Sequence, residues 1–422
     1  MIHAYRYGRK LDDFGVGEVF EHPWEVTVDE GMTALFYASF QDAVPTYASR
    51  VAARASGLRD RPIHPLLLLN LGISFSVHDV SEQAIANLGY IDVRFPEACY
   101  AGDTVRARSK VIATKPVSSP DKGVVHVRTQ LLNERDELVC TFERKALVRA
   151  GSVVSSRLAN GIARTSADGG QSGSPGQSGS LGQSGALGQS DSLAQSGASG
   201  QNGTLGQSGT LAQSGALAGA PGRDGFDEGE APRVPAAIRE SLGRGVKLTK
   251  PRFSTRFEDF EVGDVFAHEV GRTVTEAELA QLTTLARNSH PLHTDEVYCK
   301  TGSFAKTRVA YGGLVLSWVL SLSSRDTAGN AVWDMGLDDG AHTGSVLAGD
   351  TLFAASRVLE KEVFDDQTGV LTLRVVGTKN VGARALLTKG AALFEPELPK
   401  TEGRVPEKVV EITRKVLVRR ST

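Results

Sequence analysis

The sequence predicts an α+β fold in which one antiparallel-sheet unit is built twice, the copies being joined by a long low-complexity tether. Three observations carry this. First, Asp13-Phe14-Gly15-Val16-Gly17-Glu18-Val19-Phe20-Glu21-His22 recurs as Asp259-Phe260-Glu261-Val262-Gly263-Asp264-Val265-Phe266-Ala267-His268, an offset of 246 (268 − 22). Second, each copy places helix-like runs before runs that alternate polar and apolar residues, the pattern of strands covered on one face. Third, the segment between the copies changes composition abruptly and repeats a hexad eight times from Gly170 to Leu217.

In the first copy, residues 1–150, the Asp13–Phe20 block is a turn leading into a strand. Val28 to Arg54 is helix-like, with Phe36, Phe40 and Val44 at helical spacing and an interruption at Pro45. Pro65 to Val77 is apolar on all sides, which predicts a buried helix. Gly89 to Ala101 follows, and then three alternating runs, Thr104–Ala113, Val124–Leu132 and Leu138–Val148, separated by turn residues at Ser118-Ser119-Pro120 and Asn133-Glu134-Arg135-Asp136. Residues 151–250 read as a disordered linker. A period of six raises a left-handed β-helix, but each hexad holds at most one aliphatic residue, too little to stack a core. Residues 251–398 repeat the first copy. The same offset pairs Asn288 with Asp42, Pro291 with Pro45 and His293 with Tyr47. One residue later in register, Tyr311 meets His64 and Ala348-Gly349-Asp350-Thr351 meets Ala101-Gly102-Asp103-Thr104. Residues 399–422 read as a basic tail, alternating from Glu407 to Thr422, either an extra strand or a loose end, with no assigned role.

Totals narrow the functional classes. A chain of 422 residues supports two or three domains, and 40% hydrophobic with 23% charged residues is ordinary for a globular protein. A net charge of -2 offers no basic field for nucleic acid. Three scattered cysteines, Cys99, Cys140 and Cys299, argue against a disulfide framework and a Cys-rich metal site and fit a reducing compartment. The N-terminus lacks a signal-peptide core, and Pro65–Val77 is too short to span a bilayer, so the expectation is a cytoplasmic protein with no membrane partner.

The chemistry concentrates in the second copy. Asn288-Ser289-His290-Pro291-Leu292-His293-Thr294-Asp295 places two imidazoles, an amide and a carboxylate in eight residues, directly after the amphipathic run Glu276–Arg287. Tyr311-Gly312-Gly313 then opens a second apolar run, Leu314–Leu322. A Gly pair at a helix start leaves N–H groups unshielded and suited to a developing oxyanion. An imidazole nearby is what proton transfer beside a polarised carbonyl requires. A lone histidine in a turn more often caps or packs it; here the combination points to a site. The His290-x-x-His293 spacing alone is a weak metal signal, other ligands are not evident, and no metal is expected.

The blocks Phe-x-Val-Gly-x-Val-Phe, Pro291-Leu292-His293-Thr294-Asp295, Tyr311-Gly312-Gly313 and Ala348-Gly349-Asp350-Thr351 resemble the MaoC-like, or (R)-specific enoyl-CoA hydratase, superfamily. The likeness is greater still to the double-hot-dog mesaconyl-CoA (2-methylfumaryl-CoA) hydratases, also called β-methylmalyl-CoA dehydratases. It is carried by Ala84-Ile85-Ala86-Asn87-Leu88-Gly89-Tyr90 with Arg94-Phe95, Ser109-Lys110-Val111-Ile112, Gly123-Val124-Val125, Val309-Ala310 and His342-Thr343. The resemblance implies tandem hot-dog folds, each an antiparallel sheet wrapped around a central helix, forming a pseudo-dimer within one chain. It also implies an acyl-CoA substrate, no cofactor beyond the CoA of that substrate, and a possible homodimer of pseudo-dimers. One departure is informative. The superfamily sets an Asp five residues before the catalytic His and an Asn three before it, where this chain has Asn288 and His290; the mesaconyl-CoA branch tolerates Asn at the first position.

On this resemblance, reversible syn addition of water to an enoyl-CoA is expected, most specifically mesaconyl-CoA to β-methylmalyl-CoA. His293 is then the base, Asn288 orients the water, and Asp295 supplies a second proton or fixes the His293 tautomer. Gly312 and Gly313 offer N–H groups to the thioester oxygen, and Tyr311 and His342 line the pocket. A dicarboxylic acyl group needs a cation, for which Arg94, Arg287 and Arg308 are candidates, each also a candidate for the CoA phosphates. The alternatives are a general (R)-specific enoyl-CoA hydratase, a hot-dog acyl-CoA thioesterase, and a non-catalytic acyl-CoA-binding protein.

Overall fold

The computed structural model describes residues 8–151, 226, 229–244, 256–395 and 404–421. Within them no helix is long and apolar enough to cross a membrane. The first half runs β1 (Val19–Thr27), α1 (Glu30–Phe40), α2 (Pro45–Ala48), α3 (Arg50–Ala55), α4 (Pro65–Phe75), β2 (Ala84–Arg94), β3 (Thr104–Pro116), β4 (Lys122–Asn133) and β5 (Leu138–Arg149). A short helix α5 (Ala236–Gly243) precedes the second half. That half runs β6 (Val265–Thr273), α6 (Glu276–Leu285), α7 (Pro291–Thr294), α8 (Glu296–Gly302), α9 (Gly312–Thr327), β7 (Ala331–His342), β8 (Thr351–Val363), β9 (Thr368–Lys379), α10 (Ala383–Thr388) and β10 (Lys408–Arg419).

All ten strands form one sheet in the order β1-β3-β4-β5-β2-β7-β10-β9-β8-β6, and every pairing is antiparallel. Each half contributes five neighbouring strands, and the halves join where Val93 of β2 faces Leu337 of β7. The long helix of each half lies against its own strands and is almost wholly buried, as its unbroken apolar sequence requires. Leu314, Leu316, Trp318 and Leu320 each expose 1% or less, and such a side chain contributes about 1.5–3 kcal/mol on burial. The two long helices touch, Asn70 Nδ2 of α4 donating to Ser317 Oγ of α9 at 3.0 Å. This is the tandem hot-dog arrangement that the family resemblance implies.

Polar ties repeat between the halves. His22 is held by Asp79 at 2.9 Å and Ser109 at 2.7 Å, and His268 by Asp326 at 2.6 Å and Ser356 at 2.9 Å. Each set fastens the outer strand of its half to the end of the central-helix region and to the next strand, so the duplication extends to buried hydrogen bonds.

Two expectations are corrected and one open reading is settled. The first long helical run stops at Phe40 rather than at Pro45, because Gln41 takes a left-handed conformation (φ 56) and Pro45 then opens a new helix at its first position. The span 151–250 is not linker throughout: among its described residues Phe226 is buried beneath Arg108, Ile238 of α5 is buried, and Arg94 donates to Ala231 O at 2.6 Å. The hexads themselves, residues 170–217, lie outside the described residues. Finally, of the two readings open for the tail, residues 408–419 take the strand and not the loose end. They form β10, inserted between β7 and β9, with Val410, Ile412, Val416 and Val418 in the buried phase. Its charges are matched inside the fold, Arg414 by Asp334, which makes basic residues compatible with a central strand.

Candidate active site

The second half's histidine segment is shaped by two nested caps. After α6 the chain reverses at Arg287 (φ 57). Asn288 Oδ1 accepts from His290 N at 3.1 Å, and His290 Nδ1 accepts from Leu292 N at 3.1 Å, capping α7 with Pro291 at its first position. His293 therefore sits on a single helical turn whose start is fixed by its own neighbours. Val309 fastens the other side, its N–H donating to Leu292 O at 3.2 Å. Its carbonyl accepts from His293 Nδ1 at 2.7 Å. A carbonyl can only accept, so the proton of a neutral His293 lies on Nδ1 and Nε2 is the basic nitrogen.

These residues open onto a cavity of about 560 Å³ between the halves. From the second half it is lined by Asn288, His290, His293, Tyr311, Gly312 and His342. Ala84, Asn87, Tyr90 and Arg144 reach it from the first half. Gly312 is the first residue of α9, so its N–H has no partner within the helix. A Cβ at Gly312 would fall 2.3 Å from His342 Nε2, so a glycine is required for this imidazole to lie over the helix start. His342 Nε2 is itself buried without a hydrogen-bond partner, as is the Tyr311 hydroxyl.

The electrostatics favour neutral imidazoles. Burial, then the neighbouring His290, lowers His293 to about 3. Burial, then the Arg144 charge, lowers His290 to about 4, and burial alone lowers His342 to about 4. Near neutral pH all three are uncharged, so the Nε2 lone pair of His293 is free, while the same lowering makes it a weaker base than an exposed imidazole.

Of the expected site residues, the fold brings together His293, Asn288, Tyr311, Gly312 and His342 around the cavity. Others are elsewhere. Asp295 caps α8, accepting from Tyr298 N at 2.9 Å, and takes no part in orienting His293, whose Nδ1 is held by Val309. Gly313 lies against the other half, where a Cβ would meet Asn70 Oδ1 at 2.2 Å; its small size admits the helix crossing. Arg308 is tied to Glu276 and to Glu296 on the surface. Arg94 is engaged with Asp92 and Glu230. None of the three arginines considered as the internal cation, Arg94, Arg287 and Arg308, lines this cavity.

Three other cations do: Lys379, paired with Asp350 at 3.0 Å, Arg404, exposed and donating to Thr343 O at 2.8 Å, and Arg144, the buried one. Its signal was present in β5, where Cys140, Phe142, Ala146 and Val148 mark the buried phase and Arg144 occupies that phase. It is 2% exposed. Its guanidinium donates to Ser76 Oγ at 2.8 Å and Ser81 Oγ at 3.2 Å, its Nε has no partner, and no carboxylate among the described residues pairs with it. Burial pushes its pKa down to about 10, which still leaves a full positive charge at neutral pH.

The corresponding place in the first half is closed to this chemistry. Tyr47 stands where His293 would, and its hydroxyl accepts from Asp334 N at 2.9 Å. Pro65 stands where Gly312 would and has no N–H, while the next N–H, of Leu66, is taken by His64 Nδ1 at 3.1 Å. Asp42, which the repeat pairs with Asn288, is buried between His64 at 3.6 Å and Arg414 at 3.9 Å. The first half thus lacks both the base and the free helix-start donor.

Comparison with known proteins bears on the family and the fold. Residues 3–182 match the mesaconyl-CoA hydratase family and residues 258–380 the MaoC like domain family. The chain is 30% identical over 394 residues to the mesaconyl-CoA hydratase of Cereibacter sphaeroides, spanning 90% of this chain and 92% of that protein. It is 28% identical over 382 residues to the beta-methylmalyl-CoA dehydratase of Chloroflexus aurantiacus, spanning 88% and 89%. Among solved structures, a Chloroflexus aurantiacus protein described as a MaoC domain dehydratase superposes with a TM-score of 0.69 over 98% of each chain at 24% identity. A double-hotdog protein of Mycobacterium tuberculosis superposes with a TM-score of 0.62 over 97% of this chain and 98% of its own at 20% identity. At these identities the structural likenesses speak for the fold.

Proposed function

Because the chain belongs to the MaoC-like double hot-dog hydro-lyases, the enoyl-CoA hydratases and dehydratases related to mesaconyl-CoA hydratase, we propose that it interconverts mesaconyl-CoA and β-methylmalyl-CoA. The observation that carries the reading is the pairing of His293, its Nδ1 proton held by Val309, with the open start of α9 at Gly312 on the wall of one cavity.

The thioester oxygen accepts from the Gly312 N–H, with His342 Nε2 placed beside that residue to share it. Each such donor is worth about 3–4 kcal/mol to the developing enolate. Asn288 holds a water at the cavity wall. His293 Nε2 takes a proton from this water as its oxygen bonds to the β-carbon and the alkene electrons move toward the thioester. The same imidazole then returns the proton to the α-carbon, on the same face, which makes the addition syn and needs no second acid. Asp295, committed to its cap, is not required.

The test is a single incubation with mesaconyl-CoA in which enoyl absorbance and free thiol are followed together. Loss of absorbance without thiol is the expected result. Thiol release instead identifies a thioesterase, and no change on any enoyl-CoA overturns the hydratase reading.

A further inference from the structure

The two halves place an arginine at the same point of their last strand, but treat it differently. Arg144 of β5 faces Tyr90 of β2, and Asn87 faces Ala146, two residues on. In the second half Arg414 of β10 faces Leu337 of β7, and Asp334 faces Val416, again two residues on. Asn87 therefore stands to Arg144 as Asp334 stands to Arg414. Asp334 binds Arg414 through both oxygens, at 2.6 and 3.0 Å, and Asp42 lies 3.9 Å away. Around Arg144 both carboxylates are replaced by amides, Asn87 for Asp334 and Asn288 for Asp42. The closed site keeps its arginine, Arg414 from the second half, neutralised by the protein; the open site presents an equally buried guanidinium, Arg144 from the first half, to a cavity whose lining holds no carboxylate.

We propose that Arg144 anchors the free carboxylate of a dicarboxylic enoyl-CoA, and that Asn87 and Asn288 are neutral so that substrate supplies the counter-ion. The inference rests on the hydratase reading above and specifies its substrate class. A guanidinium fork matches a carboxylate bidentately, and a buried charge without a partner is costly until one arrives. Ser76 and Ser81 occupy part of the fork and fix its orientation, as a preorganised anchor requires. In mesaconyl-CoA the free carboxylate is attached to the β-carbon, the atom that receives the hydroxyl. Anchoring it sets that carbon within the cavity that His293 shares, and offsets the negative charge that would oppose attack by a developing hydroxide. The anchor also accounts for Asn288, since an Asp there would both pair with the arginine and repel the substrate.

The experiment compares mesaconyl-CoA with tiglyl-CoA, its neutral isostere with a methyl group in place of the carboxylate. Wild type is expected to prefer mesaconyl-CoA in kcat/KM by about 100-fold or more, and Arg144→Met to reduce that ratio about 100-fold. Arg144→Lys, which keeps the charge but not the fork, should fall between. Asn87→Asp supplies the carboxylate that the other half already has. It should lower the ratio at least ten-fold while raising the melting temperature or leaving it unchanged, so the test stands even if Arg144→Met fails to fold. Equal turnover of both substrates by wild type, or an unchanged ratio in Asn87→Asp or in folded Arg144→Met, overturns the anchor and leaves the hydratase reading intact. Turnover of neither substrate by wild type removes both.

Discussion

A histidine and an aspartate two residues apart have been separated by the fold into different tasks. His293 donates its Nδ1 proton to Val309 O and keeps Nε2 as the basic atom of a half-buried imidazole. Asp295 spends its oxygen on the first turn of α8. Their substitutions therefore differ in kind. His293→Ala should reduce kcat by roughly 10²–10⁴-fold, whereas Asp295→Ala should leave kcat within about two-fold and cost about 1 kcal/mol of stability through the lost cap. The pH profile adds an independent check on His293. A base must be unprotonated to act, and burial holds this one near 3 instead of 6.5. The kcat/KM profile should consequently be level from pH 8 down to about pH 5, with no descending limb at 6.5. An acidic limb centred near 6.5 would show that the titrating base is another, more exposed group.

Periodicity made most elements readable, and the exceptions have physical causes. The α4 segment Leu66-Leu67-Leu68-Leu69 and the alternating strands of the first half expose their burial pattern directly. β10 could not be settled as a strand because the connection before it departs from the duplication: four residues, Glu134–Glu137, link β4 to β5, but residues 380–407, including α10, intervene between β9 and β10. The offset grows from 247 (311 − 64) to 270 (414 − 144), so the repeat loses register where the last strand begins. Its alternation then leaves strand and loose end both open, since a sequence does not say that Asp334 waits across the sheet for Arg414. The same blindness hid Arg144, whose partner is absent from its own half and whose role exists only where two halves meet. His293, Asn288 and Tyr311-Gly312-Gly313 were legible because their chemistry is local. Ending the chain at residue 403 tests the strand assignment. It removes the strand between β7 and β9 and leaves Asp334 and Asp42 buried without Arg414. The expected product is insoluble or lacks a cooperative melt by circular dichroism, whereas a true tail would be dispensable.

At the scale of the molecule, duplication has produced one open site and one filled one, and the open site carries a cost that pH reveals. The imidazoles that wall this cavity, His290 buried and His293 and His342 half-buried, have no carboxylate on its lining to pair with. His290, His293 and His342 are all lowered chiefly by burial, and His22, in the outer-strand tie, is lowered for the same first reason despite its Asp79 partner. In the unfolded chain these groups take up protons near 6.5, while in the folded chain the three at the cavity do so only near 3 to 4. Between those limits the unfolded state binds more protons, so stability rises with pH and falls as pH drops. Their contribution is complete above about pH 7 and is lost progressively as pH falls through 6.5 toward 4. Carboxylates held below their usual range, such as Asp42, oppose unfolding until lower pH and have the same sign, so the loss between pH 7 and 5 belongs to the imidazoles. Calorimetric melting at pH 7.5, 6.5, 5.5 and 5.0 should show a steadily falling transition, and His342→Gln should make that fall shallower. A transition that holds level or rises over this interval would mean that the imidazoles are hydrated in the folded state, and that the cavity is too wet for the neutral base on which the proposed proton transfer depends.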